Sequence, residues 1–115
     1  MKVERIVGKK ISGKPGGGQT TYSIDHNGKL KCEIQPVADA PVNVKEDKTD
    51  PQKFQGIAAL IPELNKTPKN TIATWADATT IMIELYPGED KWIAEGDVPD
   101  TIEQIFNMIA VLFEN

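Results

Sequence analysis

The chain is short of the residues on which stapling and much catalysis depend. Among its 115 residues there is one cysteine, Cys32, one histidine, His26, and one arginine, Arg5. A single cysteine excludes an internal disulfide and a cysteine-based zinc site, and it fits a reducing compartment, so a cytoplasmic location is expected. His26 has no serine or cysteine nucleophile that the sequence places beside it, and it reads as a solvent-facing turn residue. One arginine and a formal net charge of -4 leave no cation cluster for phosphates, which argues against nucleic acid as a partner. No stretch approaches the roughly 18 apolar residues of a membrane span, so no membrane partner is expected. Met1-Lys2-Val3-Glu4-Arg5 has an acidic residue and no apolar run behind it, unlike a signal peptide. No catalytic set, cofactor motif or metal-ligand spacing stands out, and the expectation is a protein that is not an enzyme.

What is present is enough apolar sequence for one domain. At 39% apolar and 26% charged residues, a chain of this size buries roughly two thirds of its unfolded surface in a single core. Charge is unevenly spread. Residues 1 to 35 hold seven basic and three acidic side chains, and the remainder hold six and fourteen, so the two parts carry +4 and -8. From Asp77 onward nine acidic residues accompany one lysine, Lys91. A basic or cation-bearing protein suits that surface.

The most unusual stretch is Gly13-Lys14-Pro15-Gly16-Gly17-Gly18-Gln19. Three consecutive glycines cost conformational entropy on folding, so they imply unusual backbone angles or a close approach. Gly13 to Gly18 has the outer spacing of a phosphate-binding loop, but Gln19 stands where lysine is needed and a strand follows instead of a helix. The loop is therefore expected to be a mobile strand connection, either a hairpin link with no ligand or one that touches a protein, with Lys14, Gly16, Gly17, Gly18 and Gln19 as the partner-binding residues in the second case. Lys9, Lys10 and Lys14 around it suit an anion or acidic partner, or serve as charges that block pairing at a sheet edge.

Apolar spacing predicts a strand over Lys2 to Ile11, irregular near Gly8. Thr20 to Ile34 reads as a hairpin. A two-residue Asn27-Gly28 turn would set charge against apolar groups, whereas a three-residue His26-Asn27-Gly28 loop pairs Ile24 with Leu30, Tyr22 with Cys32 and Asp25 with Lys29. Residues 35 to 50, with Pro36, Pro41 and the run Lys45-Glu46-Asp47-Lys48, read as a surface connector. Asp50-Pro51 begins a helix to about Ile61, loosened near Pro62. Asn70 to Tyr86 fits a helical face as well, but β-branched and aromatic content favours strands near 71 to 76 and 79 to 86, then 91 to 96. A four-residue type II turn at Pro87-Gly88-Glu89-Asp90 pairs Leu85 with Trp92 and Ile83 with Ala94. Asp100-Thr101-Ile102-Glu103 is a capping-box pattern opening a helix to about Glu114, with Ile102, Ile105, Phe106, Ile109, Leu112 and Phe113 in one stripe. Met108 and Val111 lie outside the stripe and suit covering loops or a homodimer contact through this C-terminal helix. Glu95, Asp97, Asp100 and Glu103 match no calcium-loop spacing and read as structural carboxylates. Trp75 and Trp92 read as core or sheet-face residues, an exposed one marking a binding face, and Cys32 as buried and inert.

Gly16-Gly17-Gly18 followed by Thr20-Thr21-Tyr22-Ser23-Ile24-Asp25, then Asp77-Ala78-Thr79-Thr80-Ile81 before the Pro87-Gly88 turn, and Val98-Pro99 before the last helix resemble emfourin-like proteins, small inhibitors of thermolysin-like metalloproteases. The family's loop usually carries a phenylalanine among its glycines, and this loop has no aromatic. The resemblance implies a shared fold and an inhibitor-like role. The expected fold is α+β, an antiparallel sheet of four to five strands with two helices on one face. The expected function is a non-enzymatic protein-binding domain, inhibitor-like or immunity-type; a ligand pocket between sheet and helices, or a subunit of a larger assembly, are the alternatives.

Overall fold

A computed structural model describes residues 2–113. Seven strands make one sheet: β1 (Arg5–Ile11), β2 (Gly17–Asp25), β3 (Lys29–Val37), β4 (Asn43–Lys48), β5 (Asn70–Thr71), β6 (Thr80–Tyr86) and β7 (Asp90–Glu95). Their spatial order is β4-β3-β2-β1-β6-β7-β5, antiparallel throughout except where β5 runs parallel to β7. The helices are α1 (Pro51–Ala58), a single-turn α2 (Ile61–Leu64) and α3 (Asp100–Ala110), which continues as a 3-10 turn over Val111–Phe113. The fold is α+β as expected, but the sheet has seven strands and is mixed, where four to five antiparallel strands were expected.

The alternation that sets each strand's inner face is consistent across the sheet. Ile6, Ile24, Leu30, Ile83, Leu85 and Trp92 meet Phe54, Ile57, Ile102, Ile105 and Ile109 in one core. The register of β2 with β3 is the one the three-residue loop demands: Ile24 opposes Leu30 and Tyr22 opposes Cys32. Gly28 takes φ +83, and the Asp25 carboxylate accepts the Asn27 and Lys29 amides, both at 2.9 Å.

Gly8 does not interrupt β1, whose pairing with β2 and β6 passes through it unbroken. The irregularity expected there is replaced by a close approach. A Cβ on Gly8 would lie 2.9 Å from Cδ1 of Phe106, so the missing side chain is what lets the α3 ring settle on the central strand. The same ring meets Tyr22 edge-on, centroids 5.5 Å apart.

Other expectations are corrected. The charged run of the supposed connector is the edge strand β4, exposed at every residue; a strand wet on both faces has no reason to alternate, so it carries no strand signature, and its charges guard the edge. Of the expected 71 to 76 strand only Thr71 pairs, as the second residue of β5, and the chain turns through Asp77 at φ 63. The last β6–β7 pair is Leu85 with Asp90, so the loop is the four residues Tyr86-Pro87-Gly88-Glu89, with Gly88 and Glu89 at positive φ, and Ile83 faces Trp92 and Ile81 faces Ala94. That is a two-residue shift from the expected register, which keeps every side chain on its face.

The Asp50 carboxylate caps α1 by accepting the Gln52 amide at 2.9 Å, and the break before Pro62 restarts the chain as α2 because proline has no N–H to continue α1. The capping box at Asp100 is not made: Pro99 holds the cap position and no side chain caps α3. The expected helix end at Glu114 lies outside the described residues.

Gly8→Ala forces the Phe106 ring off its seat and should destabilise by about 1–3 kcal/mol. Gly56, in α1 with nothing within 4 Å of a built Cβ, should gain about 0.4–1 kcal/mol as alanine. Thermal unfolding followed by circular dichroism should show midpoint shifts of opposite sign for the two variants.

Candidate functional site

The strands run so that four connections gather at one end of the sheet: residues 12–16 between β1 and β2, 38–42 between β3 and β4, 72–79 between β5 and β6, and 96–99 leading to α3. The glycine-rich stretch is the centre of this end, and hydrogen bonds set it. Lys14-Pro15-Gly16-Gly17 is a turn closed by the Gly17 amide donating to the Lys14 carbonyl at 2.9 Å. Pro15 precedes Gly16 at φ +74, the positive-φ third position that a type II turn needs. Ser12 donates to the Gly18 carbonyl at 3.0 Å, and Ala38 to Gly16 at 3.1 Å. A mobile link was expected; the chain builds a fastened turn.

Each glycine has a different reason. A Cβ on Gly13 would fall 2.0 Å from the Ala78 carbonyl, and one on Gly18 would fall 1.8 Å from the Gln35 carbonyl. Gly13 thus joins the glycine turn to the 72–79 connection, and Gly18 joins it to β3. Gly18 lies against Pro36, which has no N–H to offer a neighbouring strand, and the Gly18 carbonyl is satisfied by Ser12 instead. Of the predicted site residues, Lys14 and Gly16 stand exposed at the tip, while Gly17, Gly18 and Gln19 line a hollow of about 340 Å³ together with Lys10, Ser12, Thr20, Ile34 and Thr79.

Apolar exposure concentrates at this same end. Among the described residues the large apolar side chains left exposed are Ile34, Val37, Val42, Val44, Ile72, Trp75 and Val111. Val37 ends β3, Val42 precedes β4, and Ile72 and Trp75 lie in the 72–79 connection. Trp75 is 52% exposed and covers Gly96, where a Cβ would lie 2.4 Å from its indole. Trp92, by contrast, is buried in the core at 1%. The exposed tryptophan was not placed in the expected site; its signal was the turn chemistry around Ala76-Asp77, which the strand reading of 71 to 76 overrode.

The opposite end of the sheet carries the β2–β3 and β6–β7 hairpin loops. His26 is exposed at its hairpin tip, as expected. Arg5 lies over the Tyr86 ring at 4.4 Å, and the Tyr86 hydroxyl donates to Glu84. That hydrogen bond first, then burial, hold the phenol above its ordinary pKa. No polar or charged side chain is buried among the described residues, and none of their His, Cys, Asp and Glu side chains group to hold a metal ion. No described helix is long and apolar enough to cross a membrane. Comparison with known proteins finds no family model and no curated sequence that matches this chain.

Cys32 is buried at 4%, and burial chiefly raises its thiol pKa, with Lys45 opposing and Glu33 adding to the shift. The thiol should react with a disulfide reagent at pH 8 much more slowly in the native protein than in urea. Gly16 has open space around a built Cβ, so alanine there should cost only the left-handed backbone strain, about 1–2 kcal/mol. Gly18→Ala, which must displace strand backbone, should cost more, and urea titrations of the two variants should rank them so.

Proposed function

We propose that the chain is a non-enzymatic protein-binding domain whose binding surface is the loop-bearing end of the sheet. The observation that carries this reading is the coincidence of the fastened glycine turn with exposed Val37, Val42, Ile72 and Trp75. Exposed apolar groups on rigid supports suit a partner interface, because little ordering entropy is lost when they are covered. Lys14, Gly16, Gly17, Gly18 and Gln19 belong to that surface, and Trp75 is its natural anchor.

The emfourin resemblance supplies a narrower form, inhibition of a thermolysin-like metalloprotease. The glycine loop has no aromatic, and the exposed aromatic at that end of the sheet comes instead from the 72–79 connection, as Trp75. A lone buried cysteine suits work in a reducing compartment such as the cytoplasm. A second reading, self-association through the C-terminal helix, draws on Val111, 53% exposed beside Met108 in a hollow shared with Lys53 and Ile57.

Capture of partners from source-cell extract, using wild type and single-site variants, tests the main reading. Trp75→Ala should lower affinity for a captured partner by about 2 kcal/mol, roughly thirtyfold, while His26→Ala at the far end should leave it unchanged. A partner held equally by both variants would place the interface elsewhere. Light scattering checks the second reading: association lost in Val111→Glu would support it, and a monomer at high concentration would remove it.

A further inference from the structure

Lys10 occupies a position that the fold does not require of a lysine. It lies on the central strand β1, on the same face as buried Ile6 and Gly8, opposite Thr20 on one side and Ile81 on the other. Edge protection explains a lysine only on an edge strand, and β1 is flanked by β2 and β6. The side chain is exposed, and it has no ion-pair or hydrogen-bond partner among the described residues. The hollow it enters offers the hydroxyls of Ser12, Thr20 and Thr79, with Ile34 as its large apolar side chain. No carboxylate lines it, although the chain carries 17 acidic residues.

One unpaired cation surrounded by neutral donors, with nothing anionic to satisfy it, is an arrangement for an acceptor that comes from outside. We infer that this hollow seats the carboxylate of an acidic side chain belonging to the partner protein, at the Lys10 ammonium and within reach of the three hydroxyls. The partner segment is acidic at that point and apolar beside it, where Ile34 is exposed. This rests on the protein-binding reading and adds the chemistry of the contact. It also modifies the expectation of a cation-bearing partner drawn from net charge, because local complementarity and overall charge act at different distances.

The test uses the isotope-labelled full chain, with amide chemical shifts read against three probes: a capped pentapeptide containing two glutamates, the same peptide with glutamines, and inorganic phosphate. The glutamate peptide should move the amides of Lys10, Gly18, Thr20 and Thr79 and bind at least fivefold more tightly than the glutamine peptide. Lys10→Gln should abolish that preference, and Lys91→Gln, on the solvent side of β7, should retain it. Equal binding of the two peptides at the loop end would overturn the carboxylate seat and leave the protein-binding reading standing. Phosphate binding the same amides as tightly as the glutamate peptide would assign the hollow to free anions and overturn the inference. So would a preference that survives in Lys10→Gln, or no movement at these amides with any probe. Partner capture by the Trp75→Ala variant decides the broader reading independently of all of these.

Discussion

The seat of Phe106 on Gly8 is the contact on which the arrangement of layers depends. β1 is the strand that joins β2 to β6, so whatever packs on it bridges the two parts of the sheet. A glycine there lets an aromatic ring come down close to the backbone, and the ring then carries α3 across the sheet. Tyr22 closes around the same ring and also meets Phe113, centroids 5.1 Å apart, so the helix and the 3-10 turn after it are held from the β2 side. With α3 fixed in that way, α1 packs beside it through Ile57, and the core fills from one face alone. The inner face at Lys10, Thr20 and Ile34 stays open, which is why the hollow exists where it does.

The strand order also gives the linear charge asymmetry a place in space. On one side of the sheet β1, β2 and β3 hold five basic and two acidic residues and β4 is balanced, while on the other β6 and β7 hold one basic and three acidic, so the two sides differ in sign. The junction between them is β1 with β6, directly beneath the glycine turn and the 72–79 connection that Gly13 brings together. A partner at the loop end therefore meets both signs of charge within one footprint. Complementarity at that junction constrains orientation more than it adds affinity.

How much was legible in the sequence follows from where water lies. The β2–β3 hairpin was readable to the residue, because one face of each strand is buried and a wrong register puts Lys31 or Glu33 against the core. The α3 stripe was readable for the same reason. β4 left no trace, since Asn43 to Lys48 is exposed on both faces and hydrophobic alternation exists only where burial selects it. Residues 71 to 76 misled in the opposite direction. Ile72 and Trp75 are large and apolar, which argues for a strand or a core position, but both are exposed. Reading apolar residues as buried hid the exposed tryptophan.

The glycines show why composition alone could locate the loop but not describe it. Flexibility and rigidity demand the same residue: a slack link uses glycine because nothing constrains it, and a crowded turn uses glycine because nothing else fits. The distinction lies in what surrounds each Cα. Gly16 has open space and the positive φ of a local Pro-Gly turn, whereas Gly13 and Gly18 have carbonyl groups where a side chain would go, and those two conditions arise from long-range pairing that the local sequence does not contain. Once the turn is rigid, its value to a binding surface changes. A mobile loop would surrender conformational freedom on docking, at a cost that grows with each residue ordered. A turn already fastened to β3 and to the 72–79 connection presents Lys14 and the apolar groups beside it with that ordering complete. In the proposed binding role, the entropy lost at the glycines is spent in folding rather than in docking.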